Sequence, residues 1–204
     1  MAIPNEMDRA YSDMGGKGIN AHTWHEETVY KVDLPANRLE HWAKIESDRF
    51  ARPVFRLFHT ELETVYEEKN RALDNDLRKQ YRAVFECIFP SHPYGKQSVL
   101  GTVDHLKNPS ITEIRKYFNK YYKPNNVAIC MSGELDFDKT ISLIDKHFGD
   151  WKPNLELKKT KYDPLKEIES PIRREVVGPE KESVLLAHKY FAQISDPFLE
   201  MCKV

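Results

Sequence analysis

Long apolar runs are missing from these 204 residues; none approaches the roughly 20 residues that a bilayer-crossing helix needs. An excess of one charge is missing too. Net charge is −1, so there is no basic face for nucleic acid and no strong acidic field. Cysteine is scarce. Cys87, Cys130 and Cys202 are an odd number in apolar contexts, which argues against a disulfide framework, matches no zinc spacing and predicts buried free thiols. The opening Met1-Ala-Ile-Pro-Asn-Glu6 is short and polar and does not read as a signal peptide, so the compartment stays unknown. What is present is an ordinary globular composition, 40% apolar and 31% charged, long enough for one good core or for one core and part of another.

The rest is organised around residues 61–76, ELETVYEEKNRALDND. Strong helix formers dominate and neither glycine nor proline interrupts. Leu62, Val65, Tyr66, Lys69 and Leu73 step at three and four, which lays one mostly apolar stripe along a helix. Glu61 and Glu68 lie about two turns apart on one side of it, next to that stripe. Two such carboxylates could support a metal or a proton transfer; the alternative is a solvated acidic face.

The order Glu61-x-x-x-Val65-x-x-Glu68, led in by residues 50–60 (FARPVFRLFHT), resembles the helix of the M16 zinc peptidases. That is the inverzincin family of pitrilysin, insulin-degrading enzyme and the mitochondrial processing peptidase. The resemblance implies that Glu68 is the third zinc ligand and Glu61 an assisting catalytic carboxylate. The family's two zinc-binding His and its general base sit in an upstream His-x-x-Glu-His. No His-x-x-Glu-His occurs in the 204 residues. The chain is therefore expected to be cut from a larger protein. Zinc would belong to the parent, with none bound by this piece, which is expected to be inactive alone.

In chain order, Pro4 and Asn5 open a short helix with Met7, Ala10, Tyr11 and Met14 inward, closed by Gly15-Gly16. Residues 18–35 read as two strands around a turn near His25-Glu26-Glu27. GGKGINAHTWHEETVYKVDLP is similar to the family's Gly-rich turn, Asn-Ala-x-Thr and Thr-x-Tyr. The resemblance implies an exposed edge strand at Asn20, Ala21 and His22, where a peptide or unfolded polypeptide substrate adds as an extra strand. A separate metal site from His22, His25, Glu26 and Glu27 would need a tight turn to converge, because strand residues three apart face opposite ways.

Residues 35–50 form an amphipathic helix, and 77–89 another, with Leu77, Tyr81, Val84, Phe85 and Ile88 as core positions. Pro90 to Gly95 is a turn-rich loop that resembles the family's His-Pro-Tyr-Gly element; His92 reads as a loop residue held by flanking prolines rather than a ligand. Leu100 to Asn108 looks like a short family helix. Ser110 and Glu113 make a capping box for a helix carrying Ile114, Phe118 and Tyr121 inward. Tyr122-Lys-Pro124-Asn-Asn126 ends it, 127–131 is a buried strand, and Asp136 caps a last helix closed by Gly149, with Ile141, Leu143, Ile144 and Phe148 inward. This run is a second resemblance to the family.

The expected fold is α+β, a LuxS/MPP-like metallohydrolase domain with a mixed antiparallel sheet, helices on one face and its N-terminal part lacking. The expected organisation is a peptidase domain over 1–151, a linker over 152–172 and the start of a second homologous domain over 173–204. That last part would contribute strands at 173–177 and 183–191 and an incipient helix at 197–204. Expected partners are the peptide substrate, a second M16 half or domain, and a homo-oligomer contact through the uncovered face. A non-catalytic M16-like half that binds peptide or a partner subunit is the competing reading.

Overall fold

The computed structural model describes residues 6–55, 58–158, 160–165 and 167–189. The predicted helix start at Pro4-Asn5, Cys202 and the incipient helix at 197–204 lie outside the described residues. The chain forms two compact units, one of Met1–Glu63 with Asp104–Thr160, the other of Thr64–Val103 with Lys161–Val204.

In the first unit, α1 (Glu6–Asp13) packs on β1 (Lys17–Thr23), which pairs antiparallel with β2 (Thr28–Asp33). Two glycines close α1. The Gly16 N–H reaches the Tyr11 carbonyl (2.8 Å) and the Gly15 N–H reaches that of Ser12 (2.9 Å), the double bond of a Schellman turn. Gly15 takes φ +81°, which disfavours any side chain, and a Cβ on Gly16 would sit 2.7 Å from the Tyr11 oxygen. A 3-10 turn (Ala36–Arg38) leads into α2 (Leu39–Ala51), which packs against α8 (Phe137–Phe148) through Trp42 and Phe148. Between them in the chain come α7 (Ile111–Tyr121) and a second 3-10 turn (Pro124–Asn126). The predicted caps form: Ser110 Oγ accepts from the Glu113 N–H and Asp136 Oδ1 from that of Lys139.

The second unit contains most of α3 (Phe58–Asp74), then α4 (Asp76–Ile88) and the single helical turn α5 (Pro93–Lys96) packed on it. Asn75 caps α4 by accepting from the Arg78 N–H. His92 caps α5 through Nδ1, and its ring meets those of Tyr94 and Tyr162, each at 4.5 Å. It is a capping and packing residue. The short helix α6 (Val103–Lys107) begins at the last residue of this unit's first segment.

The architecture is α+β, with a two-stranded antiparallel sheet among the described residues. Several expected elements differ. Residues 127–131 carry no regular secondary structure and pair with no strand among the described residues, and Ile129 and Cys130 are exposed rather than buried. An apolar run becomes a buried strand only where neighbours cover its faces and take its backbone bonds, and no described residue does either. The same holds at 173–177 and 183–189, where Val177, Val184 and Leu186 face water. Cys87 is half-buried. Met7, Leu73, Leu77, Tyr81 and Ile141, all expected inward, are exposed. Tyr11 and Ala43 are the fully buried apolar-class side chains among the described residues.

Candidate functional site

The glutamates at positions 61 and 68 both stand on α3 and both are exposed. The division between the units falls inside this helix, after Glu63, so Glu61 belongs to the first unit and Glu68 to the second. In the second unit Val65, Tyr66, Lys69 and Asn70 are half-buried, and Lys69 Nζ donates to Ser98 Oγ at 3.4 Å. Glu67 and Glu68 face solvent. Neither Glu61 nor Glu68 takes a hydrogen bond or an ion pair from another described residue. No three His, Cys, Asp or Glu side chains among the described residues come together as a metal site. A catalytic zinc needs three protein ligands, so Glu68 can offer one and the described residues do not complete a centre.

Asn20, Ala21 and His22 are exposed on β1, opposite Lys31, Tyr30 and Val29 of β2. No further strand pairs with the hairpin among the described residues. Asn20 Oδ1 accepts from the Ala21 N–H at 2.8 Å, so a docking strand would compete with that side chain for the donor. At the hairpin tip the Trp24 N–H donates to the Glu27 carbonyl (2.8 Å), and His22 Nε2 lies 3.7 Å from Glu27 Oε1 in an exposed pair. Among the described residues the turn does not gather its His and Glu side chains into a metal site.

The best-connected cluster lies behind that hairpin, and sequence reasoning missed it. The hydroxyls of Tyr30 and Tyr122 are 3.1 Å apart, and the Thr28 hydroxyl lies 3.4 Å from that of Thr23 across the hairpin. Thr28 and Tyr30 are two apart on a strand and so point to one face. The Arg49 guanidinium stacks 4.2 Å from the Tyr30 ring centre and 4.5 Å from that of Phe50. Its Nε donates to Glu46 Oε2 at 2.9 Å, while the other oxygen of the buried Glu46 carboxylate accepts from the Tyr11 hydroxyl. Phe50 touches the Tyr30, Tyr122 and Trp151 rings. Burial, and after it the bond to Tyr30, pushes the Tyr122 phenol up to about 12. Burial, then the bond to Glu46, likewise raises Tyr11. Two signals were available: the i, i+3 pair Glu46 and Arg49, and the Thr-x-Tyr spacing.

A family profile described as Peptidase M16 inactive domain matches residues 110–198. The zinc protease PqqE of Helicobacter pylori is 26% identical over 191 residues, covering 90% of this chain and 42% of that protein. Among solved structures, a protease from Helicobacter pylori superposes with a TM-score of 0.70 at 25% identity, over 77% of this chain and 38% of that one. The first half of the periplasmic protease PqqL from Escherichia coli gives 0.70 at 22% identity, over 79% of this chain and 36% of that one. These matches make the chain similar to M16 peptidases and to proteins named zinc proteases. The chain spans well under two thirds of the length of each of these relatives. Among the described residues no helix is long and apolar enough to cross a membrane.

Proposed function

We propose that the chain is part of a zinc-dependent endopeptidase that hydrolyses peptides or unfolded polypeptides. Glu68 supplies one zinc ligand, Glu61 assists at the catalytic site, and the Asn20-Ala21-His22 strand docks substrate through its backbone. The other protein ligands lie outside these 204 residues. The partner is a second M16 half or domain, and the face left uncovered by the lacking N-terminal part adds a tendency to self-associate. The domain organisation is 1–151, 152–172 and 173–204. The observation that carries this reading is the uninterrupted helix bearing both glutamates, in a chain related along most of its length to proteins named zinc proteases. Zinc, when bound in the parent, would supply polarisation of the scissile carbonyl.

A second reading is a non-catalytic M16-like half that binds peptide or a partner subunit, favoured by the description of the matched profile as an inactive domain. The sequence upstream of residue 1 separates the two: a His-x-x-Glu-His there fits the enzyme, and its absence fits the binding half. The 204-residue chain alone is expected to hold no stoichiometric zinc and to cleave no unfolded peptide. Chelator-sensitive peptidase activity from the purified chain would overturn that expectation.

A further inference from the structure

We infer that Tyr122, through the hydroxyl of Tyr30, is a positioning residue that fixes the β1–β2 hairpin for substrate docking. The inference rests on the proposed docking role of the Asn20-Ala21-His22 strand. Tyr30 is the cross-strand partner of Ala21, so whatever holds Tyr30 also holds the middle of that strand. A two-stranded hairpin alone is marginally stable in water and frays. Here β2 is tied down at Tyr30, in the middle of the pairing with β1. Tyr30 meets Tyr122 hydroxyl to hydroxyl at 3.1 Å. Tyr122 is itself immobilised by stacking, 4.2 Å from Phe118 and 5.9 Å from Phe50. Arg49 closes the arrangement, stacked on Tyr30 and bonded to the buried Glu46.

Thr-x-Tyr and the tyrosine that opens the Tyr-x-Pro-x-Asn turn are far apart in the chain, yet they are the two halves of one contact. A strand that receives a peptide edge-on must keep its backbone groups in register before the peptide arrives. Ordering the strand in advance removes that cost from binding. The clamp acts through β2 and touches no substrate.

The test uses the 204-residue chain, with fluorescently labelled β-casein as the unfolded probe. Tyr122→Phe and Tyr30→Phe each remove one oxygen and keep the ring stack. In Tyr122→Phe the amides of Asn20, Ala21 and His22 are expected to exchange with solvent faster, while those of α2 and α8 do not change. Casein binding is expected to weaken about fivefold, the worth of roughly one net hydrogen bond. The double variant is expected to bind no more weakly than either single one, because the two oxygens act as a pair. A merely structural role would lower the melting temperature and leave casein binding below the transition unchanged. Unchanged hairpin exchange and unchanged binding in both single variants overturn the clamp. If casein gives the wild-type strand no protection at Asn20, Ala21 and His22, the docking reading fails and the clamp's role in docking fails with it. The exchange rates of the free chain then still report whether Tyr122 holds the hairpin.

Discussion

The hairpin and the glutamate helix carry family-like motifs of equal clarity, and their side chains behave in opposite ways. On the hairpin, Thr28 meets Thr23 and Tyr30 meets Tyr122 inside the first unit, and a buried carboxylate and a stacked guanidinium back Tyr30. On α3, Glu61 and Glu68 find none among the described residues. A motif residue that holds the fold shows its partner within the chain. One that serves an outside ligand stands open until that ligand arrives. The hairpin side of this contrast is a matter of stability; under the proposed function, the helix side is a matter of chemistry supplied from elsewhere.

The sharpest way to break the comparison is to remove a partner from the hairpin's support. Glu46→Ala leaves the Arg49 charge and the Tyr11 hydroxyl without their acceptor and is expected to cost about 3 kcal/mol, measured by urea unfolding. A loss within about 0.5 kcal/mol would mean that the network is ornamental. Next comes the phenol pair. Tyr122 is raised, so its contribution is fully present below the ordinary tyrosine pKa of about 10 and is lost as pH rises through about 12. Ultraviolet titration of Tyr30→Phe is expected to show Tyr122 ionising at lower pH than in the wild type. An identical curve would remove Tyr30 as a cause.

A smaller effect is expected at the acid end. The backbone N–H of Glu180, and then Lys79, hold the Asp76 carboxyl below its usual range. The Lys139 backbone and side chain do the same for Asp136. Both contributions are complete above about pH 4, the ordinary aspartate value, and vanish as pH falls through the lower folded ones. Asp76→Asn should therefore flatten the acid limb of the stability profile; an unchanged limb would rule Asp76 out. The smallest effect belongs to the helix. Glu61→Gln and Glu68→Gln are expected to move stability by less than about 0.5 kcal/mol, because these carboxylates face solvent. A loss of a few kcal/mol would make them structural.

Much of this could be read beforehand where the signal is local. The Gly15-Gly16 closure, the Ser110 and Asp136 caps and the helix periods each depend on neighbours within a few residues. The strands predicted at 127–131 and 173–177 were illegible for the opposite reason. Apolar, β-branched residues express a preference, but a strand exists only if another segment pairs with it. The clamp at Tyr122 hid because its halves are 92 residues apart, and spacing says nothing across such a gap. His92 was legible as a loop residue but not as a cap: it stands just outside the helical turn, and its ring nitrogen accepts from the Tyr94 N–H.

The central claim concerns Glu68, and the zinc content of the parent protein tests it most directly. Elemental analysis of the wild-type parent and of its Glu68→Gln variant, both purified in folded form, is the measurement. The account predicts one zinc per wild-type molecule. It predicts a loss of affinity in the variant beyond roughly a hundredfold, since even outer-shell partners of a ligand cost about ten- to a hundredfold. A variant that keeps its zinc at wild-type affinity would contradict it.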